Sequence, residues 1–76
     1  LIIGNKGTAL AVSLADGTTV GEYKIFTNKG AGAMTVTPTN FAQGTDFELA
    51  QNEGCTCIWD GTNWFIVGNQ STLTIS

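Results

Sequence analysis

The residues of this 76-residue chain with chemistry to offer are two cysteines, two tryptophans and six carboxylates; there is no histidine. Cys55 and Cys57 stand one residue apart. On a strand, such neighbours point the same way with Cα atoms roughly 6.5–7 Å apart, at the limit of what a disulfide tolerates. A metal site would need further ligands, and histidine is absent. The pair reads as two small apolar residues beneath the tryptophans. Asp16, Asp46 and Asp60 each lie beside a Gly-Thr pair. Calcium favours loop carboxylates, but each loop offers one, and the EF-hand spacing is missing. Aspartate in a turn caps its own backbone. Glu22, Glu48 and Glu53 would make a glycosidase pair only if two converged across a cleft, and their spacing does not call for that. The glycine-rich Asn28-Lys29-Gly30-Ala31-Gly32 has neither the following helix nor the Lys-Ser/Thr pair of a phosphate loop. No activated serine or cysteine constellation is present. The expectation is a protein that is not an enzyme and holds no metal or cofactor.

The tryptophans admit two readings. An exposed Trp on a sheet can stack a sugar ring while nearby Asn and Asp supply hydrogen bonds. Trp59, Asp60, Asn63 and Trp64 fit that list. In the other reading one Trp fills the core and the other an interface, where Trp is enriched.

Both tryptophans belong to Cys55–Gly68, two apolar runs around an Asp-Gly turn, a strong hairpin signal. A four-residue loop, Asp60 to Asn63, would set Trp59 opposite Trp64. A two-residue loop centred on Gly61 would set Trp59 opposite Thr62. Either loop is even, so Cys55, Cys57, Trp59, Trp64 and Ile66 share one face. Thr56, Ile58, Phe65 and Val67 share the other. Neither face is polar, and both need cover. Ile58, Trp59, Trp64, Phe65 and Val67 are therefore the candidate residues for an oligomer interface or for ligand stacking.

The rest of the chain reads as strands and turns. Leu1-Ile2-Ile3 is an apolar run closed by the turn Gly4 to Gly7. Thr8 to Leu14 alternates, with Leu10, Val12 and Leu14 on one side and small Ala9, Ala11 and Ser13 on the other. Thr19 to Asn28 is a second long strand, with Tyr23, Ile25 and Thr27 opposed to Glu22, Lys24, Phe26 and Asn28. Ala33 to Thr37 turns Met34 and Val36 inward, and Pro38 ends it or places it on an edge. Phe41 anchors a loop. Thr45 to Ala50 turns Phe47 and Leu49 inward. Asn69-Gln70-Ser71 is polar, and Thr72 to Ser76 closes with Leu73 and Ile75 alternating against threonine. No stretch shows a sustained helical period. Turns every 8–12 residues or so predict an all-β fold, a small antiparallel sandwich or barrel of about seven short strands.

Length and charge narrow the class further. A chain this size buries only about 60% of its unfolded surface and often leans on oligomerisation. A symmetric oligomer would cover the second hairpin face. Charged residues make up 12%, half the usual share of about 25%. Three basic residues against six acidic ones argue against nucleic acid and against anionic membranes. The chain starts at Leu1 without a signal peptide, and no apolar run approaches the ~20 residues of a membrane span. It reads as a single domain, 1–76, cut from a longer polypeptide, with 1–7 a linking strand.

Three stretches in order resemble a small β-domain of tailed-bacteriophage virion structural proteins, notably marine ones. They are Leu14-Ala15-Asp16-Gly17-Thr18-Thr19-Val20-Gly21-Glu22-Tyr23-Lys24-Ile25, then Thr35-Val36-Thr37-Pro38-Thr39-Asn40-Phe41, then Ile58-Trp59-Asp60-Gly61-Thr62-Asn63-Trp64-Phe65-Ile66-Val67-Gly68-Asn69. Each alone is ordinary β-turn chemistry, and the specificity lies in their succession over roughly residues 10 to 70. The resemblance implies a capsid decoration, head fibre or tail fibre protein, commonly a homotrimer, on the virion surface. Its partners would be itself and other virion proteins, and in a fibre tip a surface glycan. Assembly in a reducing host cytoplasm suits free buried thiols. A carbohydrate-binding module using Trp59 or Trp64, and a repeat of a bacterial surface filament, are the alternatives.

Overall fold

A computed structural model describes residues 1–69 and 73–76, and its described residues form eight strands and no helix. They are β1 (Ile2–Gly4), β2 (Leu10–Leu14), β3 (Tyr23–Asn28), β4 (Met34–Pro38), β5 (Phe47–Leu49), β6 (Gly54–Trp59), β7 (Trp64–Asn69) and β8 (Thr74–Ile75). Two four-stranded sheets result, β1-β3-β6-β7 and β2-β4-β5-β8. They pack as a sandwich of 34 × 19 × 18 Å. The all-β expectation holds, with one difference in pairing. β1 runs parallel to β3, and β2 parallel to β4, while the other pairs are antiparallel. The first four strands alternate between sheets, so the chain crosses over between each parallel pair.

Alternation decides the core. Leu14, Phe26, Met34, Val36, Phe47, Leu49, Cys55, Cys57, Trp59 and Trp64 are buried between the sheets. Phe26 meets Phe47 edge-on at 5.6 Å, and Phe41 tilts against Phe47 at 5.5 Å. That arrangement suits the aromatic quadrupole better than a flat sandwich of rings. Ile2, Leu10, Val12, Phe41, Ile66 and Leu73 pack around this cluster.

Several strands are shorter than the alternation predicts. The stretch 19–22 turns instead of extending, because Glu22 reaches back to the amides of Thr18 (2.8 Å) and Thr19 (3.3 Å). The Glu22 amide donates to the Thr19 carbonyl at 3.0 Å, closing the turn. β3 therefore starts at Tyr23. The expected last strand is observed only at Thr74–Ile75. Gln70, Ser71 and the Thr72 start of that strand lie outside the described residues. Glycines in the 28–32 loop have a steric reason. A Cβ on Gly32 would collide with the Thr8 carbonyl, and one on Gly30 with the Lys6 backbone. The loop lies flush on the β1–β2 turn, and the Gly32 amide donates to the Lys6 carbonyl at 3.0 Å.

Candidate functional site

The tryptophan hairpin adopts the four-residue loop. Trp59 pairs with Trp64. Asp60 closes the loop by accepting from the amides of Asn63 (2.7 Å) and Thr62 (2.8 Å). Gly61 takes φ +101°, a value that side-chain-bearing residues rarely adopt. The bonds from Asn63 and Thr62 hold the Asp60 carboxyl below its ordinary pKa. Those from Thr18 and Thr19 do the same for Glu22. Both carboxylates thus favour the folded state above their unfolded pKa values of about 4. That contribution fades as pH falls through the lower folded values. The urea midpoint should stay level from about pH 7 to 5 and drop below about pH 4. Glu22→Gln should flatten part of that drop, and an unchanged pH profile would remove Glu22 from the account.

Cys55, Cys57, Trp59, Trp64 and Ile66 face inward together, as the alternation requires. The thiols are free and buried. A hydrogen bond to the Cys55 sulfur, together with burial, pushes the Cys57 thiol up, so it stays protonated. The rings of Trp59 and Trp64 lie 5.5 Å apart, tilted by 56°. The Trp64 indole N–H donates to the Ala15 carbonyl at 2.9 Å. Their exposures are 6% and 0%. Neither ring presents a face to water, so the alternative of sugar stacking on Trp59 or Trp64 has no platform in this fold. Neither lies at the surface. Of the remaining sugar-binding candidates, Asp60 is occupied in its turn. Asn63 lines an open polar groove of about 610 Å³ with Asn40, Phe41, Ser13 and Thr37.

The other three candidates, Ile58, Phe65 and Val67, lie on the outer face of the β1-β3-β6-β7 sheet. Strand pairing extends that face beyond the hairpin. Tyr23, Ile58 and Phe65 form one cross-strand row. Ile25, Thr56 and Gly68 form the next. Ile3, Thr27 and Gly54 form a third. A bulge between Thr56 and Cys57 leaves Val67 unpaired, and it projects at 50% exposure. Tyr23 is 62% exposed, Ile3 54% and Ile25 40%. Where Gly54 and Gly68 lack side chains, a depression of about 280 Å³ opens between Ile25, Thr27 and Thr56. None of the chain's nine charged residues stands in these rows. Hairpin alternation identified Ile58, Phe65 and Val67. It could not add Tyr23, Ile25 and Ile3, whose neighbours are set by pairing between distant strands. The signal was present in the Tyr23-Ile25-Thr27 parity, but Phe26 made both sides of that strand look apolar.

No family model, curated protein or solved structure matches the chain.

Proposed function

We propose that this chain is a homo-oligomeric structural module of a virion surface, of the capsid decoration, head fibre or tail fibre kind. Its work is assembly, without catalysis. The supporting observation is the charge-free outer face built on the rows Tyr23-Ile58-Phe65 and Ile25-Thr56-Gly68. Soluble monomers rarely leave contiguous apolar surface of this kind in water. Covering it removes exposed Ile, Tyr and Val side chains from solvent at about 25 cal/mol per Å². The virion assignment rests on the three-stretch resemblance. It makes the chain's partners further copies of itself, in trimers, together with capsid or fibre proteins. The carbohydrate reading loses its platform with the burial of Trp59 and Trp64.

Native mass spectrometry across a dilution series tests the proposal. The expected result is a stable oligomer that Tyr23→Glu with Val67→Glu converts to a smaller, still folded species. Both positions are at least half exposed, so the double variant should fold. A clean monomer that stays folded at every concentration would overturn the reading.

A further inference from the structure

Each sheet has two edges, and three of the four are short or partly covered. β1 and β8 have three and two residues. β7 has six, but the 40–43 segment lies along its Trp64–Ile66 half, which leaves three residues open. The Trp64 amide donates to the Asn40 carbonyl (2.9 Å), the Trp64 carbonyl accepts from Ala42 (2.8 Å), and the Ile66 amide donates to Gln43 Oε1 (2.7 Å). The fourth edge, β2, differs. Among the described residues it pairs only with β4. The Leu10 amide donates to Ala33, and the Leu14 carbonyl accepts from Thr39, both at 2.9 Å. Leu10, Val12 and Leu14 therefore use their backbone groups inside the sheet. Those of Ala11 and Ser13 point away from it. Both residues are exposed, both side chains are small, and Leu10–Leu14 carries no charge, proline or bulge. These are the devices by which folded proteins blunt an edge.

We propose that the β2 edge pairs with the β2 edge of a second copy of the chain, antiparallel, about a two-fold axis at Val12. This deepens the assembly reading and rests on it. The register follows from which groups are free. Ala11 pairs with the partner copy's Ser13, exchanging two hydrogen bonds, and the axis repeats them, making four. Val12 meets its symmetry mate in a non-hydrogen-bonded pair. Leu10 and Val12, half-buried in one copy, gain cover. The occupant is a second copy for two reasons. The other edges offer two or three open residues each, so only another β2 matches these five residues. And a chain of net charge −3 meets its copy here along a strand without charge. Two sandwiches then share one continuous eight-stranded sheet.

Site-directed crosslinking of the whole chain tests the register. Opposed Cα atoms stand about 4.5 Å apart in a non-hydrogen-bonded pair and about 5.5 Å in a hydrogen-bonded one, both within disulfide reach. Val12→Cys should crosslink to itself under mild oxidant. Mixed Ala11→Cys and Ser13→Cys chains should crosslink to each other, while neither does so alone. The last two positions are exposed, so the test survives if Val12→Cys folds poorly. Cys55 and Cys57 are buried and give no background. Native masses should be even multiples of the chain, two by this edge alone or six if the apolar face also closes three-fold rings. Strict trimers, or oligomers without the crosslinking pattern, overturn the edge pairing and leave the assembly reading standing. A monomer at every concentration overturns both.

Discussion

Trp64→Ala is expected to lose about 3–5 kcal/mol of folding free energy, the range for deleting a large buried aromatic. A domain of 76 residues has roughly 4–11 kcal/mol in all, so the loss would unfold the variant at the low end of that range and remove a large share of its stability at the high end. The size of the effect has three sources. The ring is fully buried. It tilts against Trp59 across the hairpin, so removing it leaves a void on that ring. Its indole N–H bonds Ala15 at the end of β2, tying the hairpin of one sheet to the other. Trp64→Phe separates these effects, since it keeps an aromatic ring and removes the donor. It should cost about 1–3 kcal/mol, in line with an orphaned carbonyl plus a smaller ring. Urea titration followed by far-UV circular dichroism reads both. A Trp64→Ala midpoint close to the parent's would mean the ring does not sit between the sheets.

Asn28 is the second position where a large loss is expected. Among the described residues it is the buried polar side chain of the core region. Its Nδ2 donates to the carbonyls of Gly32 and Leu49, each at 2.9 Å, and its Oδ1 accepts from the Gly30 amide at 3.1 Å. One side chain therefore closes the glycine loop and bonds across to β5 in the second sheet. Asn28→Leu keeps the bulk and abandons all three groups, at a cost of roughly 2–5 kcal/mol. Asn28→Asp is the sharper variant because it is nearly isosteric. Its carboxylate still accepts from Gly30 but turns a second oxygen toward two carbonyls. The neutral acid is favoured there, so the folded pKa of the new group lies above its unfolded value of about 3.9. A raised folded pKa means stability is present below the unfolded value and is lost as pH rises through the folded one. Relative to the parent, Asn28→Asp should therefore be much weaker at pH 7 than at pH 4. Equal penalties at both pH values would show that Nδ2 does not face those carbonyls.

Much of this fold could be read from local pattern. Alternation assigned Met34, Val36, Phe47 and Leu49 to the core, and all four are fully buried. The Asp-Gly turn and the even loop placed Cys55, Cys57, Trp59, Trp64 and Ile66 on one face. Those assignments hold because side-chain direction in a strand depends only on parity, which a sequence displays directly. Ends were less legible. The 19–22 stretch looked like strand because its turn is made by Glu22, a side chain whose capping role has no periodic signature. One end that was legible is that of β4, which stops at Pro38 as expected, though Pro38 still pairs with Leu14 in the middle of its sheet.

Period, turn chemistry and composition were enough for an all-β domain, its inward residues and the geometry open to its tryptophan hairpin. Tertiary structure decided which sheet each strand joins, and with it everything at the surface. Parity says that Tyr23 and Ile25 point the same way, but only the β3–β6 pairing sets Tyr23 beside Ile58 and Phe65. The same holds for the tryptophans, whose apolar bodies suit a core and a surface site equally well. Their burial was settled by the second sheet closing over them, and the exposed face and the open β2 edge are what that closure left uncovered.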